Sequence, residues 1–387
     1  MSYPHLAGQA VVLPYVNLQD FICHLLALDG YCTAVYLQPE SALPLPEPAL
    51  PLTRATVATP DSVHQDTQWF IATSGTTGTP KWIGHRMASL TQAVKSSDAN
   101  TQLCWALCYQ PFRFAGLQVV LQSLLSGASL SDCSSGDAYL KLDNMQKYAV
   151  SAVSATPSMW RQLLLTGKLD ALRLSHLTLG GEIADQQLLD RLSTLFPTAR
   201  IMHIYASTEA GVGFAVTDRR AGFPAQWLQS GIHGIEFRLD ETSHLWLKPR
   251  YRPVNLPPAR LNDEGFIDSE DLAVLQGDRV LFLGRAGGII NVGGNKVHPE
   301  QVEQLLLQVP GVAQVHVYGK ASSLLGQLVV ADLVAETGAE TTALQKQLLS
   351  HCLKHLQRYQ IPTRFNWVEC LTTGLSGKLN RSAKHNV

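Results

Sequence analysis

Between Gln68 and Tyr205 short apolar segments alternate with segments of helical spacing, and this limits the fold more than any other feature of the chain. Strands are expected at Gln68 to Ala72, Leu103 to Leu107, Ser129 to Ser131, Ala152 to Ala155, Leu177 to Leu179 and Ile201 to Tyr205. Helices fit between them, at Ser89 to Ser97, Leu117 to Leu125, Ser158 to Leu165 and Gln186 to Leu195. Such alternation implies an α/β domain, with helices covering a largely parallel sheet.

The texture changes on either side. Residues 1–38 hold short apolar runs, Ala10 to Leu13 and Phe21 to Leu28, followed by a stretch with Pro39, Pro44, Pro46, Pro48, Pro51 and Pro60. Proline lacks an amide donor and fixes φ, so a loop or extended surface segment is expected there. After Gly231 short strands at Glu236 to Leu239, Leu245 to Lys248, Leu272 to Leu275 and Arg279 to Leu283 predict a small β region. Past Arg285 a compact α+β unit is expected. It has a helix from Pro299 to Gln308, strands at Val312 to Tyr318 and Leu328 to Ala335, and an amphipathic helix at Thr342 to Leu356. The glycine-rich break Gly284 to Gly288 suits a hinge, which divides the chain into a larger domain, residues 1–285, and a smaller one, residues 286–387.

Composition narrows the function. The 387 residues suit two or three folding units. With 45% hydrophobic and 16% charged residues, disorder is excluded as the main state. A net charge of -1 exerts no broad pull toward nucleic acid or an anionic membrane. The seven cysteines lack the paired short spacings of a zinc site and read as free buried thiols of a reducing, cytoplasmic protein. No Lys or Arg precedes Arg54, so no secretory signal is expected, and no apolar run is long enough to span a bilayer.

The strongest local signal is Thr73-Ser74-Gly75-Thr76-Thr77-Gly78-Thr79-Pro80-Lys81, which follows a predicted strand. Glycines let backbone approach phosphate oxygens, hydroxyls and amides donate to them, and Lys81 adds charge. The spacing is not that of a Walker A loop. Against this stands a plain Ser/Thr/Gly surface turn, which would not require the lysine.

Further motifs follow in order: Leu179-Gly180-Gly181-Glu182; Ile204-Tyr205-Ala206-Ser207-Thr208-Glu209; Ser269-Glu270-Asp271-Leu272; Gly284-Arg285, then Gly293-Gly294-Asn295-Lys296-Val297-His298-Pro299-Glu300; and Gly374-Leu375-Ser376-Gly377-Lys378. From about residue 70 onward the set resembles the adenylate-forming superfamily: acyl-CoA and aryl-CoA synthetases, peptide-synthetase adenylation domains and luciferases. It looks most like the compact aryl- and acyl-CoA ligases, o-succinylbenzoate-CoA ligases among them.

The resemblance implies a fold, a reaction and a set of roles. A large α/β domain with a small β region would carry a small mobile α+β domain. ATP and a carboxylic acid, aryl or medium acyl, would give an acyl-adenylate and pyrophosphate. The acyl group would then pass to the thiol of CoA or of a carrier-protein phosphopantetheine. Catalysis would fall to Lys378, Thr208 and Glu209, with Glu209 holding Mg2+. ATP or AMP would meet Thr73, Ser74, Gly75, Thr76, Thr77, Gly78, Lys81, Gly181, Glu182, Tyr205 (stacked on adenine), Ala206, Ser207, Asp271 and Arg285. The acid pocket would include Phe114, Ala115, His203, Gly180, Gly211 and Gly213, the glycines leaving room for a ring or branched chain. Gly293 and Gly294 would line the thiol tunnel, and Gly287 would sit at the hinge. A homodimer is an open alternative to a monomer.

Four departures from the family pattern stand out. Only 72 residues precede Thr73, where family members usually have more. Gly287 stands where the hinge usually has Asp or Lys. Pro111-Phe112-Arg113-Phe114 replaces Pro-x-x-His, and Ser269-Glu270-Asp271 replaces Thr-Gly-Asp. Lys81, Thr208, Glu209, Asp271, Arg285 and Lys378 are all present, which favours an active enzyme. Two other readings stay open: an acyl-adenylate former without its own thioester step, and a non-catalytic nucleotide- or carrier-binding subunit.

Overall fold

A computed structural model describes residues 6–38, 50–51, 66–73, 81–374 and 378–379. The expected phosphate-loop residues Ser74, Gly75, Thr76, Thr77 and Gly78 lie outside the described residues, as does most of the proline-rich stretch.

The first sheet holds β1 (Ala10–Pro14), β2 (Ala34–Gln38), β3 (Leu50–Pro51), β4 (Gln68–Thr73) and β5 (Lys81–Arg86), in the order β3-β1-β2-β4-β5. All pairs are parallel except β4 with β5. Helix α1 (Leu18–Leu28) connects β1 to β2, and the Asn17 side chain caps it by accepting from the Asp20 amide. A short helix, α2 (Met87–Thr91), follows β5.

The expected parallel sheet is the second one: β6 (Cys104–Leu107), β7 (Ser129–Asp132), β8 (Ala152–Ala155), β9 (His176–Gly180), β10 (Arg200–Ser207) and β11 (Gly211–Val216), ordered β11-β10-β9-β8-β6-β7. Only β11 runs antiparallel. Its crossover helices are α3 (Phe114–Ser126), α4 (Ala138–Lys147), α5 (Pro157–Leu165) and α6 (Gln186–Leu195). Side chains alternate across the strands, as period two requires. Trp105 and Leu107 join Leu117 of α3 and Trp69 of the first sheet in one core, whereas Ala106 and Val153 face Trp160, Leu163 and Leu188 in another.

A third, antiparallel sheet contains β12 (Phe223–Pro224), β13 (Glu236–Leu239), β14 (His244–Lys248), β15 (Ile267–Gln276) and β16 (Arg279–Arg285), ordered β12-β16-β15-β14-β13. It closes over Phe214, Phe223 and Phe237, beside the short helix α7 (Trp227–Ser230). The 3-10 turn Ala286–Gly288 leads to the fourth sheet. This comprises β17 (Ile290–Val292), β18 (Asn295–Val297), β19 (Val312–Ser322), β20 (Gly326–Ala335) and β21 (Arg364–Trp367), packed on α8 (Pro299–Leu307) and α9 (Thr341–His355) around Val302, Leu306, Leu333 and Leu348. The molecule is therefore a large N-terminal α/β domain followed by a smaller α+β domain.

Several elements depart from the sequence expectation. The helix expected to run to Ser97 ends at Thr91, because the Gln122 carboxamide accepts from the Lys95 amide and donates to its carbonyl, holding that segment out of the helix. Helix α4 is too polar to show in the apolar pattern. The Asp137 side chain caps it, and it buries Lys141, whose ammonium donates to the carbonyls of Cys133 and Ser135. All seven cysteines are free, but Cys23 and Cys370 are exposed rather than buried. No helix among the described residues is long and apolar enough to cross a membrane.

Candidate active site

A cleft of about 2080 Å³ opens at the carboxyl ends of β9 and β10, between α3, the third sheet and the small domain. Open α/β sheets bind ligands at this end of their strands. Thr73 and Lys81 line it and are cross-strand partners on β4 and β5, so the hydroxyl-rich loop springs from two paired ends at the cleft wall.

Lys378 reaches into this space from the small domain. Its carbonyl accepts from the Gly374 amide, and Thr373 forms an isolated β-bridge with Leu379. Gly181, at the end of β9, has φ +84, and a Cβ there would stand 3.0 Å from Lys378 Cε. The missing side chain is thus the seat of the lysine. Glu182 holds the arrangement from both sides. Its Oε2 accepts from the Ser158 amide at the first turn of α5 (2.9 Å), and its Oε1 accepts from the Leu379 amide (2.7 Å). Protein around the Lys378 ammonium desolvates it and lowers its proton affinity, although the residue as a whole keeps exposed surface, and the nearby Glu182 carboxylate opposes the shift.

At the end of β10 the Tyr205 hydroxyl donates to Asp271 Oδ2 (2.6 Å). Burial raises the Asp271 pKa, and the Arg285 charge works against it. The Tyr205 ring lies near-parallel to Phe214 and to Phe282, at centroid distances of 5.2 and 5.1 Å. In this structure those stacking contacts are with protein rings. Thr208 lines the cleft, and its carbonyl accepts from His85 Nε2 (2.7 Å). Burial lowers the His85 pKa, which suits a neutral ring carrying its proton on Nε2.

Glu209 does not stand alone. Arg260 Nη1 lies 3.2 Å from its Oε1 and 3.7 Å from Glu270 Oε2. Arg285 donates to Glu270 (2.9 Å) and approaches Asp271 (3.5 Å). No group of three metal-binding side chains occurs among the described residues. Glu209, as a single carboxylate lining the cleft, still fits magnesium, which usually takes one or two carboxylates and completes its shell with phosphate and water.

On the acid side, Phe114, Ala115, Gly180, Gly181 and His203 line the cleft, and Gly211 and Gly213 are not among its lining residues. Gly213 does not leave room for substrate: a Cβ there would stand 3.1 Å from Tyr205 Cδ1, so the glycine accommodates that ring. The space at Gly181 belongs to Lys378, and that at Gly180 faces the Tyr109 hydroxyl. Gly211 faces Gln92. The imidazole of His203 is bound at Nε2 to the Arg220 carbonyl, although the residue borders the cleft. Phe114 and Ala115 do line it, at the start of α3, with Phe114 tilted against His85. Ala206, Ser207 and Gly287 also line the cleft. Gly293 and Gly294 form the turn between β17 and β18, with φ +55 and +87, and are not among its lining residues. His85, Arg260 and Tyr109 escaped sequence reading because each sits in a segment with no motif and reaches the site only through the fold.

Residues 24–235 match the family described as AMP-binding enzyme, and residues 301–378 match the AMP-binding enzyme C-terminal domain. A probable 2-succinylbenzoate–CoA ligase of Mycobacterium tuberculosis is 29% identical over 84% of this chain and 85% of its own length. Among solved structures, the amide bond synthetase McbA of Marinactinospora thermotolerans (K483A mutant) superposes with TM-score 0.72 at 16% identity, covering 97% of this chain and 88% of that one. The o-succinylbenzoate CoA synthetase MenE of Bacillus subtilis, in complex with its acyl-adenylate OSB-AMP, gives 0.65 at 17% identity, covering 98% and 88%. The chain belongs to the AMP-binding enzyme family, within the adenylate-forming superfamily. It is an AMP-forming acid–thiol ligase that uses ATP to activate a carboxylic acid.

Proposed function

We propose that the protein couples an aryl acid to CoA through an acyl-adenylate. The observation that carries this reading is Lys378 seated on Gly181 and tied through Leu379 to Glu182, with Asp271, Arg285 and Glu209 around the same cleft. The M. tuberculosis relative is named for an aryl acid, 2-succinylbenzoate, and the apolar wall that Phe114 and Ala115 begin suits a ring.

The chemistry brings a carboxylate against the α-phosphate of ATP, an encounter of two anions. The site must neutralise charge and hold the reactants in line. Lys378 is the group to bridge carboxylate and α-phosphate. Asp271 accepts from the ribose hydroxyls, Arg285 binds beside it, and the Thr208 hydroxyl donates to phosphate. Glu209 holds magnesium, which when bound neutralises phosphate charge. Gly293 and Gly294 belong to a second arrangement, in which the small domain turns about Gly287 and the thiol arm enters along the glycines. Thr73 and Lys81 anchor the phosphate loop.

The test is acid-dependent AMP formation from ATP and Mg2+, with a panel of aryl and fatty acids and with or without CoA. The expected result is AMP with one aryl acid and a thioester mass when CoA is added. Lys378→Ala should lower adenylation about 10²–10³-fold or more while ATP still binds. Adenylation at the wild-type rate in that variant would remove Lys378 from the mechanism. Adenylate without thioester would move the acceptor from CoA to a carrier protein or another nucleophile.

A further inference from the structure

Glu270 is one of six described non-glycine residues with positive φ, at +60. An L residue adopts that conformation at a cost, and glycine adopts it freely. The strain is held in place locally: the Glu270 amide donates to Asp268 Oδ1 (2.8 Å) and the Asp271 amide to Ser269 Oγ (3.1 Å). A side chain retained where glycine would be relaxed points to use of that side chain.

Its carboxylate is the middle link of an alternating chain of charges. Glu209 meets Arg260 at 3.2 Å, Arg260 meets Glu270 at 3.7 Å, Glu270 meets Arg285 at 2.9 Å, and Arg285 meets Asp271 at 3.5 Å. Arg260 already donates to Glu209 and to the Asp268 carbonyl with Glu270 in place, whereas Arg285 without Glu270 has only Asp271 and the Ser269 carbonyl to turn to. Asp271 is the carboxylate that the ribose needs. Arg285 and Glu270 are partly exposed, so their pairing adds little stability. What it supplies is geometry.

We propose that Glu270 is a positioning residue for nucleotide binding: it holds Arg285 by a hydrogen bond, and so leaves Asp271, which Arg285 only approaches, available to the nucleotide. The inference rests on the adenylation reading above.

Glu270→Gly and Glu270→Gln separate charge from backbone. The measurements are melting temperature, ATP affinity by calorimetry with Mg2+ present, and KM for ATP against kcat in acid-dependent AMP formation. Glu270→Gly should melt at or above the wild-type temperature, yet raise both Kd and KM for ATP about tenfold, with a smaller change in kcat. Glu270→Gln should weaken ATP equally without the gain in melting temperature. Kd within about two-fold of wild type in either folded variant overturns the proposal. If the wild-type protein forms no AMP with any acid, the adenylation reading fails instead, and the calorimetric comparison still decides the role of Glu270.

Discussion

In the proposed mechanism Lys378 acts as a cation in a place that disfavours cations. Desolvation of its ammonium at the cleft holds its pKa below the ordinary lysine value of 10.5, and Glu182 offsets part of the shift. The sign follows directly. In the free enzyme the lysine loses its proton at a lower pH than a solvated lysine does, so adenylation should fall as pH rises through that lowered value. The profile of kcat/KM for acid-dependent AMP formation reports the free enzyme and should show this alkaline limb. Lys378→Arg does not titrate in the range, so whatever activity it keeps should lose the limb. A limb unchanged in the arginine variant would assign it to another group.

At the scale of elements, the join between β16 and α8 is set by one glycine. Gly284 has φ +132, and a Cβ there would overlap the carboxylate of the buried Glu300. Gly284→Ala should therefore push α8 from β16 and cost about 1–3 kcal/mol, as overpacking does. Thermal melting measures the loss. Adding Glu300→Ala removes the overlapping carboxylate and should recover part of it; no recovery would place the strain in the backbone alone. The same scale shows why some elements were legible and others not. For strand β8 and helix α6 the sequence pattern coincides with the observed bounds, since the apolar period and flanking turns agree there. Helix α4 was invisible because its stability comes from the Asp137 cap and a buried lysine, not from an apolar stripe. The end of α2 was misread because the competing partner, Gln122, is remote in sequence.

For the whole molecule, the contacts that seat Lys378 define which half-reaction this arrangement serves. Glu182 joins the large domain to Leu379, and Arg191 meets Glu336 of the small domain at 2.7 Å. The second pair is about half exposed and contributes little. The first is a charge-assisted bond inside the cleft and matters more. Glu182→Gln weakens the acceptor without changing shape. It should slow adenylation about tenfold while leaving transfer from a supplied acyl-adenylate to CoA within about two-fold, because in the proposed mechanism Lys378 leaves the cleft before transfer. Single-turnover measurement of the two steps checks this, and equal slowing of both would mean that Glu182 supports the fold rather than the closed arrangement.

Residue order alone determined the α/β alternation and the family, because short strands and six ordered motifs are local properties of the chain. It also pointed to Lys378, Asp271 and Arg285, since each lies within a motif. Tertiary structure decided the rest. Gly213 proved to make space for Tyr205, His203 to face a carbonyl, and Tyr205 to lie against Phe214 and Phe282. His85 and Arg260 entered the site from segments 123 and 51 residues away from their partners Thr208 and Glu209. A sequence shows what a residue is able to bond. Which partner stands within 3 Å depends on how the sheets and loops pack, and that is a property of the folded chain alone.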